Sequence, residues 1–244
     1  MNDFIKFKNR IYSFQQDSLP NDGRELEVNL KIKDKVDKNG ELKQFYGDTV
    51  VFELDENEKS KLLNLQDILY NKCKEYFAVR LPKSTFHMTL HDFNSSVNCI
   101  DLSSKMKETE VSISKIFKDL SELQENTMIK MKSTYAFNMV NTSIVLGLEP
   151  VNEYEYDKLM FLYNRFEQVK KLDYPLTPHI TLAYYKDKNV NLENIEKLKE
   201  AIKEINSIET CLNLSLENLC YEHFVSMSNY QTIFYVSGPQ NNAS

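Results

Sequence analysis

Two of the chain's four histidines stand in the same short motif, His-x-Thr-Leu. The motif occurs as Phe-His-Met-Thr-Leu at residues 86–90 and as Pro-His-Ile-Thr-Leu at residues 178–182. In a β-strand, side chains two positions apart point to the same face. Each motif therefore presents an imidazole beside a hydroxyl, and two such strands facing one cleft would place two of each group together.

This set of groups suits phosphodiester chemistry without a metal. A neutral imidazole can take a proton from an attacking hydroxyl or water, and a protonated one can give a proton to the leaving oxygen. Threonine hydroxyls can donate to the non-bridging phosphoryl oxygens. We therefore expect His87 and His179 to be catalytic and Thr89 and Thr181 to bind the substrate phosphate. The sequence leaves open which histidine is the acid and which is the base.

The alternative for each motif is a core histidine on a buried strand, with threonine present for its β-propensity. That alternative is favoured for one motif alone. The recurrence of the motif at matching positions of two halves favours the catalytic interpretation.

The elements around the motifs also repeat. A shift of 92 residues carries His87 onto His179, a predicted strand at 49–54 onto 141–146, and a predicted helix at 57–77 onto 149–169. It carries a second helix, 103–123, roughly onto 195–215. We expect one domain at 46–240 with lobes at 46–140 and 141–240, preceded by an extension at 1–45 that contains a hairpin around Asn39-Gly40.

Composition restricts the partners. The net charge of −6 does not favour a non-specific grip on a long nucleic-acid backbone, so we expect a small nucleotide or short RNA rather than duplex DNA. No phosphate-binding glycine loop and no dinucleotide fingerprint occurs, which argues against a cofactor. The first residues do not resemble a signal peptide, and no apolar run approaches a membrane span. We expect a cytoplasmic monomer with no membrane partner.

Three further side chains are candidates for substrate binding. Tyr185 shares the parity of His179 and Thr181, so it is expected at the cleft mouth, where it could stack on a base. Lys83 precedes the first motif and could help to neutralise phosphate. His91 would lie roughly 13 Å from His87 along one strand, too far to share a metal ion, and is expected at the cleft rim or exposed.

The paired motif resembles the 2H phosphoesterases, a family with two His-x-Thr or His-x-Ser motifs in a duplicated fold. The resemblance runs from about Thr49 to Val236. It implies a two-lobed α+β (α/β) fold with mostly antiparallel sheets, helices outside and a central cleft, and the same four catalytic and phosphate-binding residues. A second similarity, to a microbial branch close to cyclic phosphodiesterases, lies in residues 35–40 and 45–50.

The resemblance implies a metal-independent phosphodiesterase that acts on 2′,3′-cyclic phosphates or on 2′-5′ or 3′-5′ bonds of nucleotides or short RNA. Three alternatives remain open from the sequence. One is an RNA ligase-like or RNA end-processing enzyme, another is a non-catalytic nucleotide-binding module, and a third is a hydrolase of cyclic oligonucleotide signals in defence.

Overall fold

A computed structural model describes residues 2–15, 18–100, 102–123 and 128–238. Within these residues the helices are α1 (Asp3–Gln15), α2 (Glu56–Cys73), α3 (Ser103–Ser121), α4 (Glu153–Glu167) and α5 (Leu192–Asn206). The strands are β1 (Tyr46–Glu53), β2 (His87–Ser96), β3 (Met128–Met139), β4 (Ser143–Pro150), β5 (His179–Tyr184), β6 (Cys211–Ser215), β7 (Leu219–Ser226) and β8 (Asn229–Tyr235).

Polar side chains fix the starts of three helices. The Asp55 carboxylate accepts the backbone N–H of Glu58, and the Glu58 carboxylate accepts that of Asp55, which forms a capping box at the start of α2. Asn152 and Asn191 cap α4 and α5 in the same position through their side-chain oxygens. Capping of these exposed N–H groups defines where each helix begins.

The strands form two antiparallel four-stranded sheets, in the orders β2-β1-β7-β8 and β5-β4-β3-β6. This arrangement confirms the expected duplicated α+β fold. The two sheets do not correspond to the two halves of the chain, however. Strand β3 joins the second sheet, and β7 and β8 join the first, so the predicted boundary at residue 140 does not divide the structure into two sheets.

Both motif strands carry a β-bulge at the same place. In the first sheet Val50 pairs with His91 and Val51 with Thr89, so Leu90 is the extra residue. In the second sheet the pairing skips Leu182 in the same way. A bulge reverses which face the following residues occupy, and this reversal determines what enters the cleft after each threonine.

The first 45 residues differ from the prediction. Residues 3–15 form α1, which was not predicted, and Leu30–Asp34 is a 3₁₀ helix. The predicted turn at Asn39-Gly40 is present: Val36 and Leu42 form an isolated antiparallel bridge across it, and Gly40 has a φ of +91°. Val28, Leu30 and Ile32 alternate with polar residues as in a strand, but Asn29 caps the 3₁₀ helix by accepting from the Lys31 backbone N–H.

Candidate active site

The side chains of both motifs line one cavity of about 840 Å³. His87 and Thr89 come from β2 at the edge of the first sheet, and His179 and Thr181 come from β5 at the edge of the second. Each of the four is partly accessible, with the intervening Met88 and Ile180 buried behind it. The structure therefore brings the predicted catalytic and phosphate-binding residues together on two strands.

The bulges add Asp92 and Tyr184 to the cavity wall. These residues lie three positions after Thr89 and Thr181 because Leu90 and Leu182 each take up the extra place in the pairing. Neither residue is predicted from the sequence, because the two-residue period of a regular strand places both on the opposite face.

The same reversal corrects the expectation for Tyr185. Its side chain is fully buried and stacks on Phe77, with ring centroids 5.5 Å apart and an interplanar angle of 22°. It lies outside the cavity lining. A tyrosine in this position has no free face for a base, and Tyr184 takes the place at the cleft.

His91 and Lys83 also lie outside the cavity. His91 is neither exposed nor at the rim: it is 1% exposed, its ring stacks on Phe93 at 4.6 Å, and its Nε2 lies 3.1 Å from the Glu167 carboxylate. The Lys83 ammonium is paired with Glu56 at 2.8 Å. The contacts of both side chains are structural ones.

His179 is held in one tautomer. Its Nδ1 lies 2.7 Å from the backbone carbonyl of Thr177, and because a carbonyl only accepts, Nδ1 carries the hydrogen. The neutral ring then has its lone pair on Nε2. Burial lowers the pKa of His179, while the Thr177 carbonyl and the Asp92 carboxylate oppose that shift by favouring the imidazolium.

His87 lies in a different environment. Its ring meets that of Tyr230 edge-on, with centroids 4.8 Å apart, and its nitrogens have no hydrogen-bond partner among the described residues. Burial lowers the pKa of His87 to about 4, and the positive charges of His179 and Lys59 contribute in the same direction. His87 is therefore neutral at physiological pH, and of the two imidazoles it is the harder to protonate.

The Asp92 carboxylate accepts two hydrogen bonds beside the cleft. Its carboxylate accepts from the Thr49 hydroxyl at 3.3 Å and from the Tyr174 hydroxyl at 3.4 Å. Its charge acts on His179, as the direction of that pKa contribution indicates. Asp92 therefore lies on a strand of the first sheet, and its negative charge partly offsets the burial that lowers the pKa of His179 on the second sheet.

Aromatic and basic side chains form the rest of the cavity wall. Phe45, Tyr174 and Tyr230 have accessible surface against which a base could stack, and the ammonium groups offer positive charge for an anion. The aromatic residues are Phe45, Phe93, Tyr174, Tyr184, Phe224 and Tyr230, and the lysines are Lys31, Lys35, Lys170 and Lys171.

Within the described residues, one group could offer three ligand atoms to a metal: Glu53, Cys220 and Glu222. It lies outside the cavity lining. Burial and the charge of Glu53 raise the pKa of Glu222 to about 7, and the Thr232 hydroxyl is 3.3 Å from both carboxylates. The group therefore consists of two neighbouring carboxyl groups linked through the Thr232 hydroxyl, away from the paired motifs.

Comparison with solved structures finds the same fold. A conserved protein of unknown function from Agrobacterium tumefaciens, ATU0111, matches with a TM-score of 0.64 at 15% identity, over 83% of this chain and 90% of that one. TT0787 of Thermus thermophilus matches with a TM-score of 0.50 at 12% identity, over 80% and 100%. Escherichia coli LigT matches with a TM-score of 0.44 at 11% identity, over 78% and 95%. At these identities the first two similarities are similarities of fold.

No family model matches the sequence, and no curated protein matches it. Among the described residues, no helix is long and apolar enough to cross a membrane.

Proposed function

We propose that this protein is a phosphodiesterase that uses His87 and His179 as a general base and a general acid. The observation that carries the proposal is the convergence of two His-x-Thr pairs on one cavity, from strands with matching bulges. Two imidazoles and two hydroxyls are the groups that proton transfer and phosphoryl binding require.

The different surroundings of the two histidines assign their roles. A general acid must carry its proton before the reaction begins, and His179 has a carbonyl and a carboxylate that favour the charged ring. His87 has neither, and its pKa near 4 keeps it neutral and ready to accept a proton. His87 is therefore the base and His179 the acid.

The reaction follows from these roles. His87 takes a proton from water as the water oxygen attacks phosphorus, and Thr89 and Thr181 donate to the non-bridging oxygens. The bond from phosphorus to the leaving oxygen breaks, and His179 gives that oxygen its proton. The products are a phosphomonoester and a free hydroxyl. Each proton transfer contributes about 10²–10⁴ to the rate.

The substrates proposed are 2′,3′-cyclic phosphates, or 2′-5′ or 3′-5′ bonds, of nucleotides or short RNA. The cavity of about 840 Å³ falls within the range of sites that enclose small ligands, and its aromatic wall suits a base. A screen of these substrates, performed with EDTA, tests both the reaction and its independence of a dissociable metal.

Variants of the two histidines test the mechanism. His87→Ala and His179→Ala should each lower kcat by about 10²–10⁴ because each removes one proton transfer. His223→Asn is the matched control, since His223 contacts the Tyr221 hydroxyl at 3.2 Å outside the cavity. Circular dichroism checks that all three variants fold. Full activity in either alanine variant would refute the mechanism.

A further inference from the structure

Residues 30–45 form one wall of the cavity, although they precede both sheets in the chain. Lys31, Asp34, Lys35 and Phe45 line the cavity from this segment. The segment is firmly held: Ile32 and Val36 are buried, and the Asn29 side chain donates to the Val140 carbonyl in the β3–β4 turn. A side chain on a segment held in this way has a fixed position in the cavity wall, as it would have on a strand.

Lys35 is the best-placed cation on this wall. Its ammonium lies 5.2 Å from the centre of the Phe45 ring and 5.5 Å from that of Tyr184, the tyrosine which the bulge of β5 places in the cavity. It is half-buried, and no carboxylate of the described residues lies within 4 Å of it. Its charge acts on His179, so it lies close to the proposed catalytic centre.

Its neighbour Lys33 differs in each of these respects. Lys33 is exposed, is paired with Asp187 at 3.7 Å, and does not line the cavity. The charge of Lys33 is therefore already matched, whereas Lys35 lines the cavity without a carboxylate partner among the described residues. A partly buried charge is costly unless it is paired, and an anionic ligand would supply the missing partner.

The phosphate that undergoes reaction already has partners in the two threonines and in the His179 imidazolium. The cavity lining is not uniformly positive. Besides the four lysines it contains three aspartates, Asp34, Asp92 and Asp173. On this wall Lys35 is the half-buried cation without a carboxylate partner among the described residues, so we expect an anion to bind beside it.

On the basis of the proposed function, we propose that Lys35, assisted by Lys31, binds a second phosphate of the substrate, distinct from the phosphate that reacts. The substrate class is then a nucleotide with a 5′-phosphate, or a short oligonucleotide whose neighbouring phosphate takes the same place, and not a nucleoside cyclic phosphate alone. The size of the cavity, in the upper part of the range for small-ligand sites, leaves room for this group.

Binding of two product-like nucleotides, adenosine 2′-phosphate and adenosine 2′,5′-bisphosphate, tests the proposal by calorimetry. The wild-type protein should bind the bisphosphate about tenfold more tightly, because a charge-assisted hydrogen bond stabilises the complex. Lys35→Met removes the charge and keeps an unbranched side chain of similar length beside Phe45 and Tyr184. It should remove most of this preference while changing binding of the monophosphate less than about twofold. Lys35→Arg should retain the preference.

Lys33→Met is the matched control and should bind both nucleotides as the wild type does. Equal affinity of the wild type for the two nucleotides, absence of bisphosphate binding, or an equal loss for both nucleotides in Lys35→Met would each overturn the second phosphate site. The measurement does not depend on turnover. A preference that requires Lys35 in a protein inactive on every phosphodiester tested would uphold the site and refute the proposed reaction.

A cyclic substrate pair separates the two phosphate sources. Adenosine 2′,3′-cyclic phosphate with a 5′-phosphate and a dinucleotide ending in a 2′,3′-cyclic phosphate should both show a lower KM than the simple cyclic nucleotide. If only one of them does, that one identifies the position of the second phosphate. If neither does, the proposal fails for the reacting complex.

Discussion

At the scale of single residues, the two histidines of the candidate site have matching motifs but different neighbours. His179 donates from Nδ1 to a fixed carbonyl and has a carboxylate nearby, whereas His87 meets the edge of an aromatic ring. Both have a pKa below the ordinary value because the surrounding protein desolvates both rings, but only His179 has groups that oppose the shift. Acid and base roles therefore come from neighbours outside the motifs.

The pKa shifts of the two histidines predict the pH dependence of kcat/KM. Activity should rise as the pH rises through about 4, where His87 loses its proton and becomes a base. It should fall as the pH rises through the pKa of His179, which lies below 6.5, because the acid is then lost. The profile should be bell-shaped with its maximum on the acid side of neutrality, and steady-state kinetics from pH 3.5 to 9 measure it. A maximum above pH 7 would contradict these assignments.

Asp92 should contribute to the alkaline limb of that profile. Asp92→Asn removes the negative charge that favours the His179 imidazolium, so the limb should move to lower pH. A shift of about one pKa unit would lower kcat/KM about tenfold above the limb. The Thr49 and Tyr174 hydroxyls donate to different oxygens of the carboxylate, so the asparagine oxygen keeps one of these bonds, and Thr49 retains its bond to the His91 carbonyl at 3.0 Å.

Asp173→Asn provides the comparison, since it removes one negative charge from the wall of the same cavity. Its alkaline limb should move less than that of Asp92→Asn. Equal shifts in the two variants would mean that the overall charge of the cavity, and not the position of Asp92, governs His179.

At the scale of elements, the two bulges explain how much of the site the sequence predicts. The predicted strands are present and place all four motif side chains in the cavity. The period of two then fails at Leu90 and Leu182, so Asp92 and Tyr184 enter the cavity while His91 and Tyr185 are buried elsewhere. A bulge adds one residue to one strand, and nothing in the local residue types distinguishes it from regular pairing.

Helix α1 is the second element that the sequence analysis missed, and it reaches the site through Arg10. The guanidinium donates to the Leu176 carbonyl and, at 3.2 Å, to the Thr177 hydroxyl. The Thr177 carbonyl in turn accepts from His179. The contact joins residues more than 160 positions apart, and such long-range hydrogen bonds leave no periodic pattern in a sequence.

Arg10 is therefore a positioning residue, and Arg10→Met should affect catalysis more than binding. We expect kcat to fall about tenfold with little change in KM, because a small displacement of a catalytic group is costly while phosphate contacts persist. The alkaline limb of the pH profile should also move to lower pH, as the carbonyl partner of His179 loses its support. A purely structural role would lower the melting temperature and leave this limb in place.

Lys6→Met on the same helix is the control for Arg10→Met. Lys6 pairs with Asp3 at 2.9 Å on an exposed surface, where such pairs contribute about 0–1 kcal/mol. Both kcat and the pH profile of this variant should match those of the wild type.

At the scale of the whole molecule, the repeat does not produce two separate units. Strand β1 pairs with β2 on one side and with β7, from the far end of the chain, on the other. Strand β3 of the first half pairs with β4 and β6 of the second. The 92-residue shift identified the repeat, but it could not reveal that the halves exchange strands, because strand pairing is a long-range choice that a local pattern does not encode.

This exchange predicts that neither half folds alone. A fragment of residues 46–140 would contain β3 but neither of its partners, β4 and β6. It would also leave β1 unpaired on the side that β7 covers. A fragment of residues 141–240 would leave β7 without β1 and β4 without β3. Unpaired strand edges expose backbone hydrogen-bonding groups and favour aggregation.

We therefore expect each fragment expressed alone to be unfolded or aggregated, and the intact chain to unfold in one cooperative transition. Far-ultraviolet circular dichroism and tyrosine fluorescence in urea should give coincident curves for the intact chain. Co-expression of the two fragments is the matched test, since it restores every strand partner without the covalent link. A cooperative unfolding transition in either isolated fragment would mean that a sheet can form without its exchanged strands, and that the cleft lies between two independent lobes.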